Sequence, residues 1–216
     1  MLRTGFTLHP SIWAVVPVKP LRRAKSRLAR ALKADQRAAL ARSIFARTLD
    51  VLASVDRIGR TLVVSSDLTV HDLARSKGAL TLAETEPGLN VALTQACALA
   101  SARGACGVLI IQTDVPLLTV QDVESLIDLA CEPACLVVAP DRHGEGTNAL
   151  LLRPPQIIQP AFGLSSFDAH QERAAAIGIP AYVYRSATLA LDIDRPADLE
   201  RYQELAAQLD APLLYK

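Results

Sequence analysis

The sequence predicts an α/β fold, a single-domain three-layer αβα sandwich with a mainly parallel central sheet. Short apolar segments alternate with amphipathic segments over most of the chain, which is the pattern of helices covering both faces of such a sheet. Half of the 216 residues are hydrophobic, enough for one full core. No repeat, low-complexity segment or linker divides the chain. We therefore expect one domain over residues 1–216, with an N-terminal extension at 1–10 and a C-terminal tail at 209–216.

The first half of the chain predicts three strands, each followed by a helix. Apolar runs place strands at 12–18, 61–64 and 79–83. Apolar residues at helical spacing place a long helix from a cap at Asp35 to about residue 54. A short helix is expected over 70–77. A third helix is expected over 91–103, with Asn90 as its cap.

The second half begins with the strand that we expect at the centre of the sheet. An apolar run starts at Leu109, after Gly107, and Pro116 prevents further pairing. Helices are then expected over 120–129 and from about 166 to 177. Further strands are expected at 136–139, 149–152, 181–184 and 189–193. A last helix is expected to open at Pro196, with Asp194 as its cap.

Charge and cysteine content exclude several classes of protein. Lys plus Arg number 23 and Asp plus Glu number 22, a balance that argues against nucleic-acid or membrane-surface binding. No apolar run reaches the ~20 residues of a membrane span, and residues 1–10 lack the apolar core of a signal peptide. We therefore expect a cytoplasmic protein. Its four cysteines have no zinc-like spacing and are expected to be reduced.

Asp114 follows the central strand directly and should lie at its carboxyl end. Ligands of open α/β sheets bind at that edge. A carboxylate beside a phosphate-bearing ligand is a natural magnesium ligand. The alternative is an aspartate that only turns the chain or caps the next helix.

A basic cluster follows the first strand and should therefore lie at the same edge. It contains Lys19, Arg22, Arg23, Lys25 and Arg27. Such a loop can neutralise a triphosphate and a pyrophosphate leaving group. It is neither a Walker P-loop nor a dinucleotide fingerprint, since both need glycines that are absent here. A solvated basic helix face is the alternative.

Two further carboxylates, Asp192 and Asp194, lie at the junction of a predicted strand and the last helix. Alternation along an extended chain puts both on one side. Together with Asp114 they could hold one or two magnesium ions, because a hard divalent cation needs more than one oxygen ligand. Asp194 is also expected to cap the helix.

Two glycine-bearing segments could bind a second anion. Gly146 precedes Thr147 and Asn148, while Gly163 precedes Ser165 and Ser166 at an expected helix start. Glycines let backbone amides approach a ligand, and a helix start favours an anion. Turn glycines and a serine cap are the alternative. The lone histidines His143 and His170 are expected to be structural hydrogen-bonding residues.

Seven ordered motifs together resemble the guanylyltransferases that activate a small phospho-acid in the biosynthesis of deazaflavin coenzyme F-420. They are Val16-Pro17-Val18-Lys19 with Lys25-Ser26-Arg27-Leu28, Gly88-Leu89-Asn90, Thr113-Asp114-Val115-Pro116, Pro140-Asp141-Arg142, Gly146-Thr147-Asn148-Ala149-Leu150, Phe162-Gly163 with Ser166 and His170, and Asp192-Ile193-Asp194 with Asp198-Leu199. The resemblance implies a nucleotide-diphospho-sugar transferase-like fold. Related molybdenum-cofactor and sugar nucleotidyltransferases carry a glycine-rich first loop, where this chain has Pro17-Val18-Lys19-Pro20.

The resemblance also implies the reaction and its residues. A phosphate oxygen of the acceptor attacks the α-phosphorus of GTP and pyrophosphate leaves. The implied partners are GTP and the phospho-acid, and a homodimer is compatible with the sequence. The implied magnesium ligands are Asp114, Asp192 and Asp194, and the cations that act on the triphosphate are Lys19, Lys25 and Arg27. The acceptor would be held by Thr147, Asn148, Gly163 and Ser166, and the nucleoside by Ser65, Asp67, Leu89 and Asn90.

The acceptor implied by the family is 2-phospho-L-lactate, phosphoenolpyruvate or 3-phospho-D-glycerate. This chain has Ser165 where the family carries glycine, and it also departs from the family at Val115 and Glu145. Because Ser165 adds a hydroxyl and the glycerate offers one more hydroxyl to bind, 3-phospho-D-glycerate is the favoured acceptor. Another nucleotidyltransferase, acting on a sugar phosphate or a pterin cofactor, and a non-catalytic nucleotide-binding protein are the alternatives.

Overall fold

The computed structural model describes residues 11–214 and confirms the predicted three-layer α/β fold. The expected extension at 1–10 and the last two residues of the tail lie outside the described residues. No helix within residues 11–214 is long and apolar enough to cross a bilayer.

The strands and helices alternate as predicted. The strands are β1 (Ile12–Pro17), β2 (Ile58–Ser65), β3 (Leu80–Ala83), β4 (Gly107–Ile111), β5 (Cys135–Pro140), β6 (Thr147–Arg153) and β7 (Ala181–Val183). The helices are α1 (Ala34–Ala53), α2 (Leu68–Ser76), α3 (Leu89–Ala102), α4 (Val120–Leu129), α5 (Ser166–Ala176), α6 (Ala187–Ala190) and α7 (Pro196–Gln208). Two short 3-10 helices, Leu21–Arg23 and Ser26–Arg30, form the basic loop between β1 and α1.

The seven strands form one mixed sheet in the order β3-β2-β1-β4-β6-β5-β7. Strand β6 is antiparallel to both of its neighbours, and every other pair of neighbouring strands is parallel. The carboxyl ends of β1 and β4 therefore lie at the same edge of the sheet, and β6 begins there. We call this edge the carboxyl edge.

Helices bury both faces of the sheet in two separate apolar cores. Helices α1, α2 and α4 cover one face, and α3 and α5 cover the other. A third, smaller cluster joins α7 to α1 and the basic loop. Leu28 of the basic loop and Ile193 of the segment before α7 are fully buried in it, so both segments are anchored beside the carboxyl edge.

Three predicted helix caps are wrong. Helix α1 begins at Ala34, with Lys33 in the cap position, and Asp35 lies in the first turn. Helix α3 begins at Leu89 after Gly88, whose φ of 136° is accessible to glycine but rarely to other residues. Asn90 therefore lies inside the helix. The cap position of α7 is Arg195, not Asp194.

The strand predicted at 189–193 is also absent. Residues 187–190 form the short helix α6, and residues 191–194 run extended without pairing in the sheet. The apolar residues that suggested a strand, Leu191 and Ile193, instead pack into the third cluster. Burial by helices and burial in a sheet give the same local pattern in so short a segment.

Candidate active site

The carboxyl edge carries an open cleft with two adjoining lobes. The basic lobe has a volume of about 290 Å³ and lies between the basic loop and the start of α3. The glycine lobe has a volume of about 440 Å³ and lies between the start of β6 and the segment before α5. Both lobes are lined by Leu89, Gln112, Asp114 and Asp194. Two ligands bound in these lobes would therefore meet at Asp114.

Two backbone hydrogen bonds bring distant segments to this junction. The amide of Gln112 donates to the carbonyl of Asn148 (3.0 Å), which joins the end of β4 to the start of β6. The amide of Ile193 donates to the carbonyl of Asp114 (2.9 Å). The second bond places Asp192 and Asp194 beside Asp114, although the strand predicted to bring them there is absent.

The three aspartates line the glycine lobe, and two neighbouring cations, Lys25 and Arg27, compensate their negative charge in part. Burial, helped by the neighbouring charges of Asp114 and Asp194, raises the pKa of Asp192 to about 6. Within residues 11–214, no three His, Cys, Asp or Glu side chains converge closely enough to form a ready metal site. The chemistry of the donors nevertheless fits magnesium, because crowded carboxylate oxygens are what a hard divalent cation neutralises.

Lys25 supplies part of the missing positive charge. Its Nζ lies 3.6 Å from Oδ2 of Asp114 and 3.7 Å from Oδ1 of Asp194, and its side chain is only 7% exposed. Its backbone has a φ of 56°, in the left-handed region that non-glycine residues seldom adopt. Such strain persists only where surrounding structure imposes it, and it is common at functional sites.

Lys19, Arg22 and Arg27 are more exposed than Lys25. Lys19 is exposed on the wall of the basic lobe. The guanidinium of Arg27 donates to Asp194 (3.0 Å), although its side chain is 67% exposed. Arg22 is exposed and lines neither lobe. Among the side chains of the basic loop that the structure describes, those of Lys19, Lys25 and Arg27 line the cleft.

Ser65 and Asp67, predicted to contact the nucleoside, line neither lobe. The hydroxyl of buried Ser65 donates to the carbonyl of Val18 (2.7 Å). Asp67 caps α2 through Thr69 and also accepts from the amide of Leu21 (3.1 Å). Both side chains therefore stabilise the end of β1 and the start of the basic loop by hydrogen bonds made outside the cleft.

Asp198 explains how the aspartate segment is held. Its buried carboxylate accepts from the amides of Asp194 (2.8 Å) and Arg195 (2.7 Å) and pairs with Arg142. Asp198 thus bonds to the amide of the cap residue Arg195, while the carboxylate of Asp194 faces Lys25 and the cleft.

Asn148 and Asp122 hold the preceding turn. The amide of Asn148 donates to the carbonyls of Leu189 (2.9 Å) and Ala190 (3.2 Å), just before the aspartates. Asp122 is 2% exposed and accepts from several side-chain hydroxyls of the same segment. These donors are Tyr184, Ser186 and Thr188. Sequence reasoning missed Asp122, because these three partners lie more than 60 residues away.

His170 is a buried residue that supports the glycine lobe by hydrogen bonds. It is fully buried, and its ring bonds to the hydroxyl of Thr147 (3.1 Å) and accepts from the amide of Ala161 (2.9 Å). Burial, helped by the charge of Arg173, lowers the pKa of His170 to about 4, so the ring is neutral at pH 7. His170 is thus a structural hydrogen-bonding residue, as predicted. Exposed His143 accepts from Nε of Arg142 (3.0 Å).

The segment before α5 has the backbone that an anion site needs. Gly163 has a φ of 143° and Ser165 a φ of 54°, so the chain here is held in conformations that favour glycine. Both residues are exposed and line the glycine lobe, and buried Ser166 begins α5. The left-handed conformation at Ser165 would also suit the glycine that the family resemblance implies at this position.

Gln112 is a cleft residue that sequence reasoning missed. It lines both lobes, two positions before Asp114. Its Nε2 is inaccessible to solvent and has no hydrogen-bond partner among the described residues. Buried amide donors are rarely left unpaired, because this costs roughly 1–3 kcal/mol.

Comparisons with known proteins agree with this geometry. Residues 12–203 match the family model of "Guanylyl transferase CofC like". A phosphoenolpyruvate guanylyltransferase of Sphaerobacter thermophilus is 42% identical over 87% of this chain and 90% of its own length. A 3-phospho-D-glycerate guanylyltransferase of Colwellia psychrerythraea is 35% identical over 92% of each chain. Among solved structures, a nucleotidyl transferase from Methanothermobacter has a TM-score of 0.66 at 12% identity, covering 93% of this chain and all of its own.

Proposed function

The chain belongs to the CofC-like guanylyltransferase family, and from this premise we propose that it transfers GMP from GTP to the phosphate of a small phospho-acid. One observation carries the proposal beyond family membership. The basic lobe and the glycine lobe meet at Asp114, where Lys25 also lies. A triphosphate bound in the first lobe and a phospho-acid bound in the second would place their reacting phosphates together.

The chain's own residues would act by position and charge. A phosphate oxygen of the acceptor forms a bond to the α-phosphorus of GTP, and the bond from that phosphorus to the β-phosphate oxygen breaks. Pyrophosphate leaves with the electron pair. Lys25, Arg27 and Lys19 would neutralise the charge on the triphosphate and the leaving group. Loop amides around Gly163, with Ser166 and the start of β6, would hold the acceptor.

Asp114, Asp192 and Asp194 would hold magnesium. The ion would supply positive charge to the phosphates, which repel one another and the aspartates. The raised pKa of Asp192 is consistent with carboxylates that a cation would stabilise in their ionised form.

We propose phosphoenolpyruvate or 3-phospho-D-glycerate as the acceptor, and activity with these two acids should be compared first. The named relatives include enzymes for each. The preference for 3-phospho-D-glycerate rests on the hydroxyl of Ser165, which makes no capping hydrogen bond and lies exposed on the glycine lobe. The relative with the higher identity is named for phosphoenolpyruvate, which supports that acid instead. A place in coenzyme F-420 biosynthesis follows from the family resemblance.

Mass spectrometry of products tests the proposal directly. The purified protein is incubated with magnesium, GTP and each of the three phospho-acids, and pyrophosphate release is followed in parallel. A guanosine diphospho-acid product with at least one acid is expected. Turnover with a sugar phosphate, or with CTP in place of GTP, would identify another nucleotidyltransferase. Binding of GTP without pyrophosphate release in any combination would identify a non-catalytic protein.

A further inference from the structure

Asn90 joins the helix that borders the basic lobe to the loop that borders the glycine lobe. Its Nδ2 donates to the carbonyl of Phe162 (2.9 Å), and its Oδ1 accepts from the amide of Phe162 (2.8 Å). Both polar atoms of the side chain are thus engaged by one residue, 72 positions away in sequence. The pair of bonds fixes both the position and the orientation of the Phe162 backbone.

The chain that follows Phe162 has little support of its own. Gly163 and Leu164 are exposed, Leu164 completely, and no side-chain hydrogen bond from residues 11–214 reaches their backbones. The nearest supports upstream are the two bonds from Asn90 and the bond between His170 and the amide of Ala161. The Phe162 ring also stacks edge-on against His170, with centroids 5.1 Å apart. Asn90 of α3 and His170 of α5 therefore both stabilise the backbone just before Gly163.

The same residue is tied to the nucleotide side. Asn90 is the second residue of α3, and the residue before it, Leu89, lines both lobes. Displacement of Phe162 relative to Asn90 would therefore change the width of the cleft between Leu89 and Gly163. The side chain of Asn90 itself lines neither lobe.

We propose that Asn90 is a positioning residue that sets the geometry of the acceptor loop, Phe162–Ser165, and does not contact the nucleotide. The inference rests on the proposed function in assigning the phospho-acid to the glycine lobe. It replaces the assignment of Asn90 to the nucleoside, which the family resemblance implied. Loss of the bonds should release the loop and impair acceptor binding, while the basic lobe keeps its shape.

Steady-state kinetics of Asn90→Ala and Asn90→Asp provide the first test. Asn90→Ala removes both bonds, and Asn90→Asp keeps the acceptor oxygen but loses the donor. Because two net hydrogen bonds are lost, the KM for the phospho-acid should rise about tenfold in Asn90→Ala, and less in Asn90→Asp. The KM for GTP should stay within about twofold of the wild-type value. Gln95→Ala is the matched control, since the side-chain amide of Gln95, on the same helix, donates to Thr85 (2.7 Å) and lines neither lobe.

Hydrogen–deuterium exchange provides a second test that does not depend on the reaction. The amide of Phe162 is bonded to Asn90, so peptides covering residues 160–165 should exchange faster in Asn90→Ala, with the rest of the protein unchanged. The proposal is overturned if exchange in this loop stays at the wild-type rate, or if it rises equally in all peptides. It is also overturned if the KM for GTP rises and the KM for the acid does not. If the wild-type protein turns over none of the acids, the proposed function fails and the exchange result alone decides the role of Asn90.

Discussion

Lys25 of the basic loop approaches Asp114, the residue at which the two lobes meet, with Nζ 3.6 Å from Oδ2. The same ammonium lies 3.7 Å from Asp194, so one buried cation is shared between two carboxylates that are 80 positions apart in the sequence. Neither distance is that of a hydrogen bond. The interaction is therefore one of charge compensation, and the ammonium is left with donors for a phosphate.

Replacement of Lys25 by methionine tests this compensation. Methionine keeps an unbranched side chain but removes the charge that we expect to meet the triphosphate. The loss of transition-state stabilisation should be roughly 2–4 kcal/mol, measured from kcat/KM for GTP. Arg22→Ala, at an exposed position of the same loop, should change it by less than about 0.5 kcal/mol. Equal effects of the two replacements would mean that the loop acts only through its net charge.

Asp114→Asn should abolish turnover while the protein stays folded. The amide keeps the shape of the side chain but loses the charge that would bind magnesium. Circular dichroism and thermal unfolding would check the fold, and pyrophosphate release would check activity. Near-normal activity of the variant at saturating magnesium would contradict the assignment of Asp114 as a metal ligand.

Gln112→Leu should separate activity from stability. Leucine removes a buried donor that has no partner among the described residues, so the free energy of unfolding should stay the same or rise by about 1 kcal/mol. If the amide turns to a phosphate oxygen when both lobes are filled, kcat should fall by about tenfold or more. A variant that is less stable and fully active would show that Gln112 serves only the fold.

His170 should make the protein less stable in mild acid. Its pKa is lowered in the folded state to about 4, from an ordinary value near 6.5, so the unfolded chain binds the extra proton first. Stability is complete above pH 6.5 and is lost as the pH falls towards 4. Between pH 7 and pH 5 the loss should be about 2 kcal/mol from this residue alone. Urea unfolding at the two pH values should show a smaller difference for His170→Gln, whereas exposed His143→Gln should keep the wild-type difference.

Asp122→Asn should destabilise the fold and weaken activity together. In the native protein the buried carboxylate accepts hydrogen bonds from hydroxyl groups, including those of Tyr184 and Ser186. The asparagine side chain would direct an NH2 donor at these hydroxyl donors. The free energy of unfolding should fall by roughly 3 kcal/mol. Asp128→Asn, which removes only an exposed charge beside Arg57, should cost less than about 1 kcal/mol. Full stability of Asp122→Asn would show that the hydroxyls rearrange at no cost.

Much of the architecture was predictable because it depends on patterns within short segments of the sequence. The alternation of apolar strands with amphipathic helices predicted the three layers, and the strand bounded by Pro116 predicted that Asp114 lies at the carboxyl edge. Asp192 and Asp194 do lie near Asp114, but a hydrogen bond from Ile193 brings them there and not the end of a strand. The short strand expected at 189–193 failed, because apolar residues buried by helices look the same locally as those buried in a sheet.

What the sequence by itself determined is the set of charges and turns that reach the cleft. What only the tertiary structure decided is which polar side chains stay available there. Asp198, and not Asp194 as expected, accepts hydrogen bonds from the backbone at the start of α7. Ser65 and Asp67 form hydrogen bonds that stabilise the end of β1 and the basic loop. The side chain of Asn90 hydrogen-bonds to the backbone of Phe162, and the ammonium of Lys25 lies between two aspartates. The physical reason is that a hydrogen bond or an ion pair depends on distances of a few ångströms between segments far apart in sequence, and only the packing of α7, α3 and the basic loop against the sheet sets those distances.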